Sequence, residues 1–241
     1  MNTNTESVAL CLPVYDKVHP KAWKAHVELS MHLGRTFHPA NLAVFYAHKL
    51  PQPHAQNYLF QSVLLNEMQY GVAGTPLPGG NRRADWILWV EDDTTPPKDA
   101  FELLRGVADP VDRPVMHGLS FDRAYPYHPS IWRVAEDGLR LVPIADWQPN
   151  TVYKIAHSGT CCSLIHTTVF EKMTRPWFRM QPFENGIEDQ GMIPCISLSR
   201  RMHEADIPIH GFTGCIAGHI SDSIEVTADV SRDAQTKEGL L

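Results

Sequence analysis

The chain has 241 residues, of which 43% are hydrophobic and 20% are charged, and these values are ordinary for a globular protein. This length predicts one large domain, or two small halves that share a core. The net charge of −6 excludes a global basic field that would attract nucleic acid or an anionic membrane, although a local basic groove stays open. No apolar run approaches the roughly 20 residues of a membrane span, and the first ten residues lack the plan of a secretory signal.

The cysteines indicate the redox environment. They are odd in number, form no CxxC pair and mostly lie in apolar surroundings: Cys11, Cys161, Cys162, Cys195 and Cys215. Reduced cysteines in the core are typical of cytosolic proteins, so we expect free thiols and a cytoplasmic location.

The first half of the chain alternates strands and helices. Apolar runs predict strands, 3.6-residue periods predict helices, and glycines with prolines predict a surface loop. The predicted order is strand Ser7–Val14, helix Pro20–Leu33 capped by Gly34, strand Asn41–His48, helix Ala55–Tyr70 and loop Gly71–Asn81. With the strand that follows, this β-α-β-α-β alternation predicts a layered, largely parallel sheet.

The stretch Ala84–Pro97 is the most informative in the chain. Its apolar run Trp86–Val90 predicts a strand buried on both faces, and three adjacent carboxylates, Glu91-Asp92-Asp93, follow directly. Two threonines and two prolines then end the strand before a helix that starts at Lys98 or Asp99. Acids at the carboxyl end of a central strand lie where α/β sheets bind ligands, and oxygen ligands suit Mg²⁺ or Mn²⁺. The alternative is a solvated acidic turn.

The second half is less regular, with aromatic residues, prolines and histidines between short predicted strands. We expect a strand at Arg113–Ser120, a hairpin of Ile131–Val134 and Leu139–Val142 turning at Asp137-Gly138, and a loop and strand over His157–Ile165. A short helix, Thr168–Met173, and an exposed segment, Pro176-Trp177-Phe178, should follow. The chain should then form a helix to about Glu204, with Pro194 in its first turn or at a kink, late strands at Ile207–Ile209 and Gly214–Ile220, and a polar tail from Ser221 to Leu241.

Three further motifs carry candidate chemistry, and each also has an ordinary structural interpretation. Ser158-Gly159-Thr160 is a loop where glycine lets a ligand approach the backbone, or an ordinary turn. Glu188-Asp189 offers a carboxylate at a helix start, or only an N-cap. His219 follows a late apolar strand as a ligand, or as a structural histidine.

In order along the chain, WVEDDTTPP, SGTCCSLIHTTVFEKM, PWF, GIEDQG and AGHI resemble the hallmarks of GT-A glycosyltransferases. The likeness is to family 2-type enzymes, including short stand-alone forms of bacteria and phages, and covers Val8 to Ile220. It implies an α/β, Rossmann-like GT-A fold with a central, mostly parallel mixed sheet flanked by helices. It also implies one domain over 1–241, with a nucleotide-sugar half at 1–120, an acceptor half at 121–220 and a tail at 221–241.

The resemblance also implies roles for residues. The acidic DxD-type motif, with Glu91 where the first Asp is usual, would hold Mn²⁺ or Mg²⁺ together with His219. Asp189 would be the base that deprotonates the acceptor. The residues implied on the donor side are Pro13, Tyr15 and Asp16 at the nucleotide base, Glu91 and Asp92 at the ribose or metal-bound water, Gly159 at the sugar, and Glu188 beside the base.

The predicted activity is therefore transfer of a sugar from a nucleoside-diphosphate sugar, with UDP favoured, to an acceptor hydroxyl. Inversion is expected if Asp189 lies on the face opposite the leaving group, and retention stays open otherwise. The aromatic residues Trp147, Tyr153, Trp177 and Phe178 form an acceptor platform or are core residues. Relatives carry an arginine-asparagine pair where this chain has Gln56-Asn57, which leaves the contacts of that helix with the donor open.

Three alternatives share this scaffold. A nucleotidyltransferase normally has a glycine-rich basic loop after the first strand, and Val14-Tyr15-Asp16-Lys17 is not one. A glycosyltransferase acting on hydroxymethylated bases in DNA would need a local basic strip, for which the candidates are Arg82-Arg83, Arg175 with Arg179, and Arg200-Arg201. A sugar-nucleotide binding module without activity is the third.

Overall fold

The structure is a computed structural model of an α/β protein and describes residues 6–80, 82–136, 140–179, 194–221 and 224–240. The strands, numbered along the chain, are β1 Val8–Val14, β2 Leu42–His48, β3 Val72–Thr75, β4 Trp86–Val90, β5 Thr94–Thr95, β6 Val115–Leu119, β7 Ile131–Val134, β8 Leu141–Pro143, β9 Val152–Lys154, β10 His157–Ser158, β11 Cys162–His166, β12 Ile209–Ile216, β13 Gly218–Ser221 and β14 Ile224–Val226. The helices are α1 Pro20–Thr36, α2 His54–Leu65, α3 Ala100–Arg105, α4 Pro194–Glu204 and α5 Ala228–Lys237, with 3-10 turns at Pro39–Asn41 and Thr167–Glu171.

The central sheet has eight strands in the order β3-β2-β1-β4-β11-β6-β12-β9. Strand β1 is parallel to β2 and β4, and β6 is parallel to β12. Strand β11 lies between β4 and β6 and is antiparallel to both, and the edge strands β3 and β9 are antiparallel to their neighbours. The sheet is therefore mixed, and it takes strands from both predicted halves of the chain.

Strand β4 is buried on both faces, as its continuous apolar run predicts. Ile87 and Trp89 belong to one core cluster, together with Phe60 of α2. Trp86 and Leu88 belong to the other cluster, which contains apolar residues of α1 and α3. Helices thus cover both faces of the sheet at its centre, and the polar residues after β4 emerge at the sheet's edge.

Several predicted boundaries in the first half are wrong. Helix α1 continues through Gly34 to Thr36, and Phe37 rather than Gly34 is its C-cap. Helix α2 ends at Leu65 instead of Tyr70, because Asn66 adopts the left-handed conformation and its side-chain amide bonds the backbone of Leu77. The predicted loop at 71–81 contains β3, which pairs with the edge of β2.

Trp177 and Phe178 are buried and only Pro176 is exposed, which corrects the prediction that Pro176-Trp177-Phe178 is an exposed segment. Trp177 and Phe178 have 3% and 0% of their surface exposed and pack against Phe60. The side-chain Oδ1 of Asn57 accepts hydrogen bonds from the backbone N–H of Trp177 and of Phe178, at 2.8 and 3.1 Å. These two aromatic residues are therefore part of the core rather than a platform for an acceptor, while Trp147 and Tyr153 are half-buried at its rim.

The remaining second-half predictions are confirmed only in part, and the late strands predicted at Ile207–Ile209 and Gly214–Ile220 are instead β12 and β13. Strands β7 and β8 form the predicted antiparallel hairpin, whose turn at Asp137-Gly138 lies outside the described residues. The predicted helix at 168–173 is a 3-10 turn, and Pro194 is the first residue of α4. The tail contains α5, which packs on the protein through Ser231, Ala234 and Gln235. All five cysteines are free thiols. Within the described residues no helix has the length and apolar character needed to cross a bilayer.

Candidate functional site

A cleft of about 860 Å³ opens at the carboxyl ends of β1 and β4, within the ~300–1,000 Å³ range of small-molecule sites. The chain places β2 on one side of β1 and β4 on the other, and such a reversal opens a crevice in α/β sheets. The backbone N–H of Tyr15, after β1, donates to Oδ2 of Asp92, after β4, at 2.9 Å. This bond joins the ends of the two strands, and both residues line the cleft.

Strand pairing brings His219 to the acidic turn. Strand β5 follows Asp93 directly and pairs with β13, so that Thr94 lies opposite His219 and Thr95 opposite Gly218. The N–H of Ile220 also donates to the carbonyl of Asp93 at 2.8 Å. A Cβ at position 218 would lie 2.4 Å from Thr95 Oγ1, so a larger residue there would displace the Thr95 side chain.

Asp93 and His219 face each other within the cleft. Nε2 of His219 lies 3.3 Å from Oδ2 of Asp93, and its Nδ1 lies 2.7 Å from the carbonyl oxygen of Phe121. A carbonyl only accepts, so Nδ1 carries a hydrogen and Nε2 is the nitrogen directed at the carboxylate. Nη1 of Arg123 donates to the same Oδ2 at 3.1 Å.

These contacts set the protonation of the pair. Burial raises the pKa of Asp93, but the hydrogen bond and charge of His219 and the charge of Arg123 outweigh it and hold the pKa below the ordinary value. Burial lowers the pKa of His219, but its interactions with Cys161 and Asp93 raise it well above the ordinary value. Asp93 is therefore an ionised carboxylate beside the imidazolium of His219 and the guanidinium of Arg123, and a metal ion at Nε2 of His219 would have to displace the proton there.

Glu91, two residues earlier, has different partners. Its Oε1 accepts from Nε1 of Trp89 at 2.8 Å and from Oγ1 of Thr160 at 2.7 Å. Burial raises the pKa of Glu91 to about 7, although these two hydrogen bonds lower it. Burial likewise raises the pKa of Asp92, against the bond from Tyr15. The three adjacent acids thus lie in three environments, and the role of Glu91 as a metal ligand stays a prediction.

The other predicted site residues fall into three groups. Tyr15, Asp16 and Gly159 line the cleft, whereas Pro13 pairs with Ala47 inside the sheet and is not on the cleft's lining as the structure describes it. A Cβ at Gly159 would lie 2.7 Å from Oγ of Ser130, so a larger residue there would displace the serine hydroxyl. Glu188 and Asp189 lie outside the described residues, shortly before α4, whose first residues Pro194, Cys195 and Ile196 line the cleft.

Asp93 and His219 are the carboxylate and imidazole of the candidate ion site, and their roles as metal ligands stay predictions. The described residues contain no group of three or more His, Cys, Asp or Glu side chains arranged to hold a metal ion. Mg²⁺ is commonly held by one or two carboxylates together with substrate phosphates and water, and Asp93 offers one such carboxylate. The Phe121 carbonyl fixes the tautomer of His219, as outer partners of metal-bound histidines do.

The sequence interpretation missed two features of the cleft. Asp122 and Arg123 line it, but they lie in an irregular segment where no periodicity signals a site. Gln56 is 2% exposed and lines the cleft, and its Oε1 has no hydrogen-bond partner among the described residues. The neighbouring Asn57 instead accepts from the backbone of Trp177 and Phe178. Of the amide pair at the start of α2, one residue is structural and the other is available to a ligand.

Comparison with known proteins shows a similar fold and assigns no activity. No protein-family model matches the chain, and no curated protein matches it. Among solved structures, the chain is similar to the crystal structure of A197 from STIV, with a TM-score of 0.55 and 11% sequence identity. The match covers 92% of this chain and 91% of that one. At this identity the similarity concerns the architecture alone.

Proposed function

We propose that the protein is a metal-dependent glycosyltransferase of the GT-A type, which moves a sugar from a nucleoside-diphosphate sugar, UDP-sugar favoured, to an acceptor hydroxyl. The observation that carries the proposal is the meeting of Asp93 and His219 beside the carboxyl end of β4. They lie in a cleft large enough for a sugar nucleotide, at the strand ends where α/β sheets bind such ligands.

In this proposal the donor lies along the cleft. Tyr15 and Asp16, after β1, contact the nucleoside, and Asp92 and the Glu91–Thr160 pair border the ribose and sugar. Asp93 and His219 would hold Mn²⁺ or Mg²⁺. When bound, the ion supplies Lewis-acid neutralisation of the charge that develops on the departing phosphate.

The reaction breaks the bond between the anomeric carbon and the diphosphate oxygen, and that electron pair stays on the phosphate. The acceptor oxygen forms the new bond to the anomeric carbon, and its proton passes to Asp189. A positioned carboxylate contributes general-base catalysis of this kind only within hydrogen-bond reach of the hydroxyl. If Asp189 lies opposite the leaving group, the product is inverted.

A binding screen tests the proposal. Nucleoside-diphosphate sugars are titrated calorimetrically with and without Mn²⁺, against wild type, Asp189→Asn and the control Asp112→Asn, whose side chain is on the surface. We expect Mn²⁺-dependent binding in all three, and donor hydrolysis or transfer in wild type and the control but not in Asp189→Asn. Wild-type protein that binds no sugar nucleotide in the presence of Mn²⁺ rules the proposal out.

A further inference from the structure

The described lining of the cleft carries an excess of negative charge. Its acidic side chains are Asp16, Glu91, Asp92, Asp93 and Asp122. In the same described lining, the lysine and arginine side chains are those of Lys17 and Arg123. A diphosphate brings more charge of the same sign, so its binding requires cations close to where it lies. Arg123 is the one of these two cations that already touches the candidate ion-binding pair.

Arg123 and His219 bind the same oxygen atom. Nη1 of Arg123 lies 3.1 Å from Oδ2 of Asp93, and Nε2 of His219 lies 3.3 Å from that atom. A divalent ion held jointly by Asp93 and His219 would meet the guanidinium on this oxygen, and like charges at such close range repel. The guanidinium and the ion are therefore competitors for Asp93.

The backbone of Arg123 is held while its side chain is free to turn. The carbonyl of Arg123 accepts from Oγ of Ser221 at 2.8 Å, and the N–H of Asp122 donates to the carbonyl of His128 at 2.8 Å. Helix α5 holds the same loop, because Oγ of Ser231 and Nε2 of Gln235 donate to the carbonyl of Tyr127, at 2.6 and 3.3 Å.

The Arg123 side chain itself is 62% exposed. An ion pair this exposed changes an equilibrium constant by about fivefold at most, so the guanidinium leaves Asp93 easily. The loop thus supplies a fixed anchor from which one cation can change partners.

We propose that Arg123 is a cation with two positions: on Asp93 in the ion-free protein, and on the diphosphate of the donor when the ion occupies Asp93 and His219. A guanidinium presents paired donors that match phosphate oxygens, and charge-assisted bonds of this kind are stronger than an exposed ion pair. In the second position Arg123 touches the leaving group and stabilises the charge that bond breaking places there. This inference rests on the proposed glycosyl transfer.

The test separates the two positions by measuring two affinities. Calorimetry is performed with Mn²⁺ alone, and then with inorganic pyrophosphate in saturating Mn²⁺, on wild type, Arg123→Leu and Arg123→Lys.

For Arg123→Leu we expect Mn²⁺ alone to bind up to about fivefold more tightly, because a competing charge is gone. Pyrophosphate should bind at least about tenfold more weakly, because a charged donor is lost. Arg123→Lys should bind Mn²⁺ as wild type does and pyrophosphate with intermediate affinity, because it keeps the charge but loses the planar pair of donors.

Arg35→Leu is the matched control, since Arg35 is an exposed arginine at the end of α1, away from the cleft lining. It should leave both affinities unchanged, and thermal unfolding of each variant verifies that it folds. Unchanged affinities in Arg123→Leu, or weaker binding of Mn²⁺ alone, overturn the inference while pyrophosphate binding by wild type leaves the proposed function standing. If wild type binds neither pyrophosphate nor any nucleotide sugar with Mn²⁺, both fail together.

Discussion

The acidic turn after β4 carries a carboxylate on each of its two sides, and the surroundings of these two carboxylates differ. On the β11 side, Glu91 accepts from Trp89 and Thr160, and burial raises its pKa to about 7. On the β13 side, Asp93 faces His219 and Arg123, and these cations lower its pKa. The pairing of β5 with β13 creates this difference, because it brings positive groups to one side only. Adjacent carboxylates in one acidic turn therefore need not share a role.

The largest expected effect concerns ion-dependent binding. Asp93→Asn should weaken Mn²⁺-dependent binding of nucleoside diphosphates by at least about 100-fold, beyond the ~10–100-fold typical of losing an outer partner of a metal ligand. Glu91→Gln should stay close to wild type, because its amide oxygen still accepts from Trp89 and Thr160. Calorimetry on both variants measures the contrast. Equal losses in the two would show that the two sides of the turn act together on the ion.

The next effect concerns the pairing that builds the β13 side. Gly218→Ala places a Cβ against Oγ1 of Thr95 and the Glu225 carboxylate, and should lower the free energy of unfolding by about 1–3 kcal/mol. Because His219 follows directly, Mn²⁺ binding should weaken as well. Denaturant unfolding and calorimetry measure the two losses. A variant with full stability and full Mn²⁺ affinity would show that the strand tolerates the side chain.

A third effect concerns pH, and its sign differs between the two sides. The pKa of Glu91 rises from 4.5 to about 7 in the folded protein, so its contribution to stability is lost as pH rises between these values. Glu91→Gln should therefore be more stable than wild type at pH 8, on the order of 1–2 kcal/mol, and similar at pH 4.

The pKa of Asp93 is lowered from 3.8, so its contribution is present above that pH and is lost on acidification. Asp93→Asn should accordingly be less stable than wild type at pH 8, with the difference shrinking in acid. Denaturant unfolding of metal-free protein over this pH range measures both differences. The same sign for both variants at pH 8 would contradict the contrast.

The smallest expected effect is on stability, at a glycine that has open space around it and so serves as a contrast to Gly218. Gly34 lies inside α1, and a Cβ added there would meet no atom within 4 Å, in contrast to Gly218. Gly34→Ala should raise the free energy of unfolding by about 0.5–1 kcal/mol, because alanine is the better helix former. Thermal and denaturant unfolding measure it. A loss of stability would indicate that Gly34 ends the helix in solution after all.

The sequence predicted most of the fold in its first half, where strong periodicity and apolar runs are local signals. The strand at Trp86–Val90 and its burial on both faces are confirmed. Helix ends were less predictable, because a side chain such as Asn66 caps α2 through a contact with Leu77 that is distant in sequence. The burial of Trp177 depended in the same way on the Asn57 side chain, which local composition does not reveal.

The candidate site was predictable only where its residues adjoin a recognisable strand. Asp93 and Tyr15 follow the buried strands β4 and β1, and their location at the sheet's edge follows from the alternation of elements. Arg123 reaches the site through the packing of an irregular loop, which no local pattern encodes. The position of His219 was expected from the family resemblance, and the β5–β13 register supplies its physical cause.

The hydrogen bonds from α5 to the Tyr127 carbonyl make this helix a structural support of the candidate site. Ser231 and Gln235 lie far along the sequence from the acidic turn, yet they brace the loop from which Arg123 reaches Asp93. Shortening the protein before Ser231, or fusing a bulky partner close behind α5, would therefore disturb the cleft.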